Sequence, residues 1–238
     1  MGPAVSIAPT MQPIGTIHSP FKEKFGIPRQ AGLAPAARAT LELLPPYDQE
    51  AALAGLDGFT HLWLLFVFHL NDHCWRPTVR PPRLGGNTRT GVFATRSPFR
   101  PNPLGLSAVQ LLHYGRERGR LLIHLAGADL ADGTPVLDIK PYVPYADSIP
   151  TARGGYAAQT PPAPFTVVFT DHAESALSAR EAELPDLREL IRQLLTADPR
   201  PAYRGEDLDG ERRYGMRLYD FDLRWRILDN VVIVEALA

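Results

Sequence analysis

The sequence predicts a mainly β protein, a β-barrel over residues 1–150 followed by a small α+β unit over residues 165–238. Three observations predict it. Short apolar or alternating runs recur at strand length through the first part, with few helical patterns between them. Prolines, 24 of them, cluster at the ends of those runs and in the loops, as in irregular β proteins. The composition then changes at residues 147–164, where DSIPTARGGYAAQTPPAP carries few large apolar side chains and residues 151–164 read as a linker.

Taken in order, residues 13–17 (PIGTI) form a short strand candidate, followed by a polar loop over 18–32. Residues 40–43 (TLEL) alternate apolar with polar, as a half-buried strand does. Residues 48–56 read as a short helix with Asp48 as N-cap and Gly58 near its end. HLWLLFVFHL (61–70) is nearly all apolar and of strand length, which predicts a strand buried on both faces. Residues 90–95, 107–114, 121–125 and 135–142 add four strands.

Beyond the linker, residues 165–170 read as a strand. Leu184, Leu187, Leu190, Ile191, Leu194 and Leu195 share one helical face, with Pro185 at a tolerant first-turn position. Tyr219, Phe221, Leu223, Trp225 and Ile227 alternate with charged residues, and Asp229-Asn230 turns the chain into VVIVEAL, a hairpin.

Of the 238 residues 45% are hydrophobic, enough for a large core and a smaller one. A net charge of −1 gives no global pull toward nucleic acid or membrane, so such binding needs a local patch. Cys74 alone excludes an internal disulfide and any multi-cysteine metal site. No apolar run reaches bilayer length, and the first residues lack signal-peptide regions, so a soluble cytoplasmic protein is expected.

A local patch exists. WRPTVRPPRLGGNTRTGVFATRSPFRPN contains Arg76, Arg80, Arg83, Arg89, Arg96 and Arg100 and no acidic residue. All are arginines, which suit bidentate contacts to phosphate or carboxylate, and five prolines, with Pro103 just beyond, stiffen the segment. A solvated basic loop is the competing reading. Gly85-Gly86-Asn87 matches neither nucleotide-binding fingerprint and reads as a tight turn. His69, Asp72, His73 and Cys74 are metal-capable types without a metal-site spacing, so no metal is expected. Asp138 and Lys140 share one side of a strand, either as a functional pair or as a structural ion pair.

PIGTIHSPFKEKFGIPRQAGL, GFTHLWLLFVFH, RPPRLGGNTRTGVFATRSPFRPNPLGLSAVQL and DLADGTPVLDIKPYVPYADS together resemble the TsaA-like family. The resemblance is dense over the first 150 residues and continues into ADPRPAYR and YDFDLRWRI. It implies a β-barrel tRNA (adenine-N6)-methyltransferase that uses S-adenosyl-L-methionine, forms a homodimer with its site near the subunit boundary, and methylates N6-threonylcarbamoyladenosine beside the anticodon of threonine tRNAs. By the same resemblance the cofactor contacts are Pro28, Arg29 and Gln30, Phe68 and His69, Arg96, Leu106 through its backbone, and Asp129, Leu130, Ala131 and Asp132. Phe68 would pack on adenine and Arg96 would stack or hold the carboxylate. Ala31 and Ala131 depart from the family pattern without removing a polar group.

Methyl transfer from a sulfonium depends on placement, and the acylated acceptor nitrogen must lose its proton. Asp138 is the expected base, and Arg100 with Asn102 the expected clamp for the threonyl carboxylate. Arg224, Trp225 and Arg226 would extend the RNA contact, so that deleting the C-terminal unit spares cofactor binding. The alternatives are a non-catalytic RNA-binding or regulatory protein on the same barrel, and a hydrolase using Asp or His at the barrel mouth.

Overall fold

The computed structural model describes residues 11–72, 74–201 and 207–238. Its first part contains strands β1 (Gly15–His18), β2 (Arg38–Leu43), β3 (His61–Val67), β4 (Thr78–Val79), β5 (Thr90–Gly91), β6 (Leu104–Glu117), β7 (Arg120–Ala126) and β8 (Pro135–Pro141). Six of them close into a barrel in the order β1-β2-β7-β6-β3-β8, while β4 and β5 pair separately as a two-stranded sheet. The mainly β character expected from the sequence is what the structure has.

Period-two alternation explains the ring's interior. Ile17 on β1 lies opposite Leu41 on β2, and Leu41 opposite Ile123 on β7. All three are completely buried, as are Leu62 and Leu64 on β3 and Val136 on β8. Their neighbours along each strand point outward, so a one-residue slip would turn the core into solvent.

β3 corrects the expectation of a strand buried on both faces. Leu62, Leu64 and Phe66 face inward, but Trp63, Leu65 and Val67 are only half-buried on the outside. Trp63 there packs against Tyr142, with ring centroids 5.6 Å apart.

Two further readings change. The expected helix at 48–56 is a pair of 3₁₀ turns, Glu50–Leu53 and Leu56–Gly58, because Gly55 between them has φ 82 and breaks the helical path. The expected strand at 90–95 stops at Gly91, and Val92–Ala94 forms a 3₁₀ turn closed by Thr95 Oγ1 donating to the Val92 carbonyl at 2.8 Å. Its single paired neighbour, β4, is two residues long, so no ladder extends it.

A short helix, α1 (Pro144–Asp147), follows the ring, and residues 151–160 are exposed. The second unit contains β9 (Thr166–Phe169), α2 (Asp171–Glu181), α3 (Leu187–Thr196), β10 (Asp209–Leu218), β11 (Phe221–Leu228) and β12 (Val231–Leu237). Its sheet runs β10-β11-β12-β9, with β9 parallel to β12. Pro185 lies just ahead of α3, not in its first turn.

α2 and β10 escape the apolar patterns. The buried face of α2 is only Ala173 and Leu177, and β10 buries Met216 and Leu218 alone. No helix among the described residues is long and apolar enough to cross a membrane.

The two units are joined by packing. Phe21, in the loop after β1, is buried in the second unit's core and forms a β-bridge with Leu218. Tyr219 N–H donates to the Pro20 carbonyl at 2.7 Å, and Arg38 pairs with Asp186 at 2.6 Å. The loop that follows Phe21 therefore leaves one core to reach the other.

Candidate active site

At one end of the ring a cavity of about 510 Å³ is bounded by the loop through residues 24–30, the end of β3, the 95–100 loop, the start of β6 and the segment before β8. That volume suits a single small-molecule ligand.

Gly105 sets its wall. On β6 the inward positions are Gly105, Ser107, Val109 and Leu111. A Cβ on Gly105 would fall 2.2 Å from the Phe66 ring, so only glycine lets that ring lie against the strand. Phe66 in turn meets Phe68 edge-on at 5.2 Å, which fixes Phe68 in the wall. Phe68 N–H donates to the Pro103 carbonyl at 2.8 Å, closing the chain where β3 ends and β6 begins.

The 95–100 loop is held from inside. Arg100 Nη1 donates to the carbonyls of Val92 and Thr95, at 3.1 and 2.8 Å, and buried Asn71 donates from Nδ2 to the Pro98 carbonyl at 3.1 Å. Arg96 reaches across the mouth and donates from Nη1 to Gln30 Oε1.

On the opposite wall Asp129 places Oδ1 in a buried position with no hydrogen-bond partner. Burial pushes its carboxyl above the usual carboxylate range, and the Ser107 hydroxyl and the Arg96 guanidinium hold it partway back. His69 lies near Thr134 Oγ1, 3.4 Å from Nδ1; burial lowers its pKa and Asp132 opposes the shift.

Pro28, Arg29, Gln30, Phe68, His69, Arg96, Leu106, Asp129, Leu130 and Ala131 all line this cavity, together with Arg100. Leu106 sits at the rim with its side chain mostly exposed.

Four of the expected contacts stand elsewhere or are otherwise engaged. Asp132 does not line the cavity: its carboxylate accepts from Ser19 N–H at 2.9 Å and pairs with Lys22 at 2.7 Å. Burial works to raise it, but Lys22 and the Ser19 N–H outweigh that and hold it low. Asp138 is also outside, opposite the outward Leu65, and forms an ion pair with Lys140 at 3.0 Å. Asn102 is exposed and does not line the cavity, because the loop turns out after the Arg100 anchor.

The fourth concerns the C-terminal contact. Trp225 is fully buried and Arg226 is bound to Glu235 at 3.0 Å, which leaves Arg224 as the exposed member of that trio. Of the metal-capable cluster near residue 70, His73 lies outside the described residues, and Cys74 is exposed.

Ser107 escaped the sequence reading. Its signal was present: a hydroxyl at an inward position of an otherwise apolar strand, LGLSAVQL.

The chain matches two family models, the tRNA-methyltransferase O N-terminal domain over residues 16–148 and the TrmO C-terminal domain over residues 162–238. It is similar to the tRNA (adenine(37)-N6)-methyltransferase of Escherichia coli K12, 51% identical across 94% of this chain and 95% of that one. A Pseudomonas aeruginosa relative, provisionally named an S-adenosylmethionine-dependent methyltransferase, is 54% identical across 91% of each chain. The crystal structure of TrmO from Pseudomonas aeruginosa superposes with a TM-score of 0.80 at 45% identity, covering 98% of this chain and 99% of that one.

Proposed function

This chain belongs to the tRNA-methyltransferase O family and is a tRNA adenine-N6 methyltransferase, and from that premise we propose that it transfers a methyl group from S-adenosyl-L-methionine to N6 of N6-threonylcarbamoyladenosine beside the anticodon of threonine tRNAs. The observation that carries the reading is the cavity itself, which gathers an aromatic face, an arginine and a buried, partnerless carboxylate oxygen.

Those groups fit the cofactor. Phe68 offers adenine an apolar face, Arg96 offers its carboxylate a planar donor pair, and Pro28, Arg29, Gln30, His69, Leu106, Leu130 and Ala131 supply the surrounding wall. When bound, the cofactor supplies a methyl group on a positively charged sulfur. The chain's own task is placement, and the anchored 95–100 loop serves it because little entropy remains to be lost there.

The proton on the acceptor nitrogen needs a base. Asp129 is the one carboxylate among the described residues that line the cavity, and its raised pKa makes it the better proton acceptor, so the role expected of Asp138 passes to it. Arg100, which lines the cavity, would clamp the threonyl carboxylate without Asn102.

The active form is a homodimer in the cytoplasm. Leu70 and Leu106, exposed at the cavity rim, support a second copy covering that edge. The test is direct. Calorimetry with S-adenosyl-L-methionine should show binding, and nucleoside analysis after incubation with threonylcarbamoylated threonine tRNA should show the N6-methylated product. Absence of binding or of product sinks the reading.

A further inference from the structure

We infer that the groove beside the cavity is the track for the phosphate backbone of the RNA substrate; this rests on the methyltransferase reading above. The groove, about 1260 Å³, lies between the 76–83 and 93–99 segments and residues 154–161. Arg29, Arg76, Arg80, Arg83, Arg89 and Arg96 line it, and no carboxylate among the described residues does.

The contrast with the rest of the molecule is informative. In the second unit Arg180 pairs with Asp220, Arg188 with Glu174 and Glu181, Arg213 and Arg226 with Glu235, and Arg217 with Asp222. Around the groove, among the described residues, Asp72 pairs with Arg76 at 3.6 Å and the other five have no ion-pair partner. Like charges gathered without counter-charges repel one another, so an arrangement of this kind suits an anionic occupant that neutralises them. In a chain of net charge −1 it is a local feature.

The arginines are also held in place. Arg76 lies over the Phe99 ring at 4.3 Å, Arg83 donates to the Gln159 carbonyl, and Arg89 donates to Thr78 Oγ1 at 3.3 Å. Planar guanidinium groups with a spare edge recognise phosphate oxygens in pairs. Phe93, 72% exposed, and Tyr156 border the same groove and offer faces on which unpaired bases can stack.

The occupant is identified by continuity. Arg29, Gln30, Thr95, Arg96 and Pro98 line both groove and cavity, so a strand lying along the groove delivers the base of an adjoining nucleotide to the cofactor site. A single small anion would need neither six arginines nor the aromatic borders.

The experiment uses the full chain and a synthetic anticodon stem-loop RNA, with affinity measured by fluorescence anisotropy over a range of salt. Arg80→Ala and Arg89→Ala, both at exposed positions, should each raise Kd several-fold and flatten the slope of log K against log salt by about 0.7–1. Arg213→Ala, at an arginine already paired with Glu235, should leave affinity and slope alone. Cofactor affinity, measured by calorimetry on the same preparations, should match wild type throughout. Wild-type RNA affinity and slope in the Arg80→Ala/Arg89→Ala double variant would overturn the inference, as would loss of self-association with RNA binding intact. A wild-type protein that binds no cofactor and methylates no RNA defeats the methyltransferase reading instead.

Discussion

Phe25 lies parallel to Trp225, ring centroids 6.2 Å apart and planes within 4°. Phe25 belongs to the loop that continues into Pro28, Arg29 and Gln30 at the cavity, and Trp225 is fully buried in the second unit's core. The second unit therefore supports the loop that lines the cavity, because Phe25 and Ile27 pack against its core.

Phe25→Ala should weaken cofactor binding. An aromatic pair contributes about 0.5–1.5 kcal/mol beyond its buried area, which corresponds to a rise in Kd of up to about tenfold. Trp225→Phe, which keeps a ring opposite Phe25, should stay closer to wild type. Deleting residues 162–238 should abolish cofactor binding, in contrast to the sequence expectation, because Phe21, Phe25 and Ile27 lose the core they pack against. Calorimetry on the three proteins decides the matter, and a truncated chain with wild-type affinity would refute this account.

Gly105→Ala should act through Phe66. The added methyl has no room beside the ring, and overpacking of this kind costs about 1–3 kcal/mol. Because Phe66 meets Phe68, the cavity wall moves with it, so cofactor affinity falls along with stability. Chemical denaturation and calorimetry should report both losses. Gly85→Ala, where a Cβ meets nothing within 4 Å, tests a glycine away from the wall: its cost comes from φ 70 alone, and cofactor affinity should be unchanged.

Asp129→Asn should separate stability from catalysis. The folded-state pKa of Asp129 is raised, so the native protein holds the proton more firmly than the unfolded chain. Stability from this group is greatest below its unfolded pKa and is lost as pH rises toward its folded pKa; above that the charged form is a net cost. Asparagine removes the charge, and the variant should be at least as stable as wild type at neutral pH. Its single-turnover methylation should fall by about 10²-fold or more if the carboxylate takes the proton. In the wild type the rate should rise with pH through the raised pKa and then level off. Retention of the wild-type rate would remove Asp129 from the base role.

Asp198→Asn should be strongly destabilising although Asp198 does not line the cavity. Arg200, whose side chain is fully buried, donates from Nε and Nη2 to the two Asp198 oxygens at 2.8 and 3.1 Å. Its Nη1 donates to the Asp207 carbonyl at 2.9 Å, and the guanidinium carbon lies 5.5 Å from the Phe165 ring centroid and 5.4 Å from that of Tyr214. Breaking such a pair leaves a buried charge without its counter-ion, at a cost of about 3–5 kcal/mol. Asparagine tolerates the positive φ of this position, 51°, so an equilibrium unfolding curve reads the charge and not the backbone.

Several features were legible in the sequence because they depend on neighbours along the chain. The alternation in TLEL and in the 219–227 run foretold which side chains face inward, since successive residues of a strand point to opposite faces. The arginine-rich, proline-stiffened segment was visible as composition, and the long motifs at residues 28–30, 68–69 and 129–131 pointed to side chains that do share one cavity. Helix α2 stayed hidden because alanine and one leucine make a weak stripe, and 48–56 misled because Gly55 interrupts a helix that its neighbours favour.

What only the tertiary structure decided is which of the charged residues remain available. Asp132, Asp138 and Arg226 look as functional in the sequence as Asp129 and Arg96, but each is engaged by a neighbour, Lys22, Lys140 and Glu235 respectively. Asp129 differs because the closing of the ring buries one of its oxygens where nothing pairs with it. A residue's chemical type is written in the chain; whether its charge is neutralised or exposed depends on groups brought from distant positions, and Coulomb and solvation energies act across that space irrespective of sequence separation.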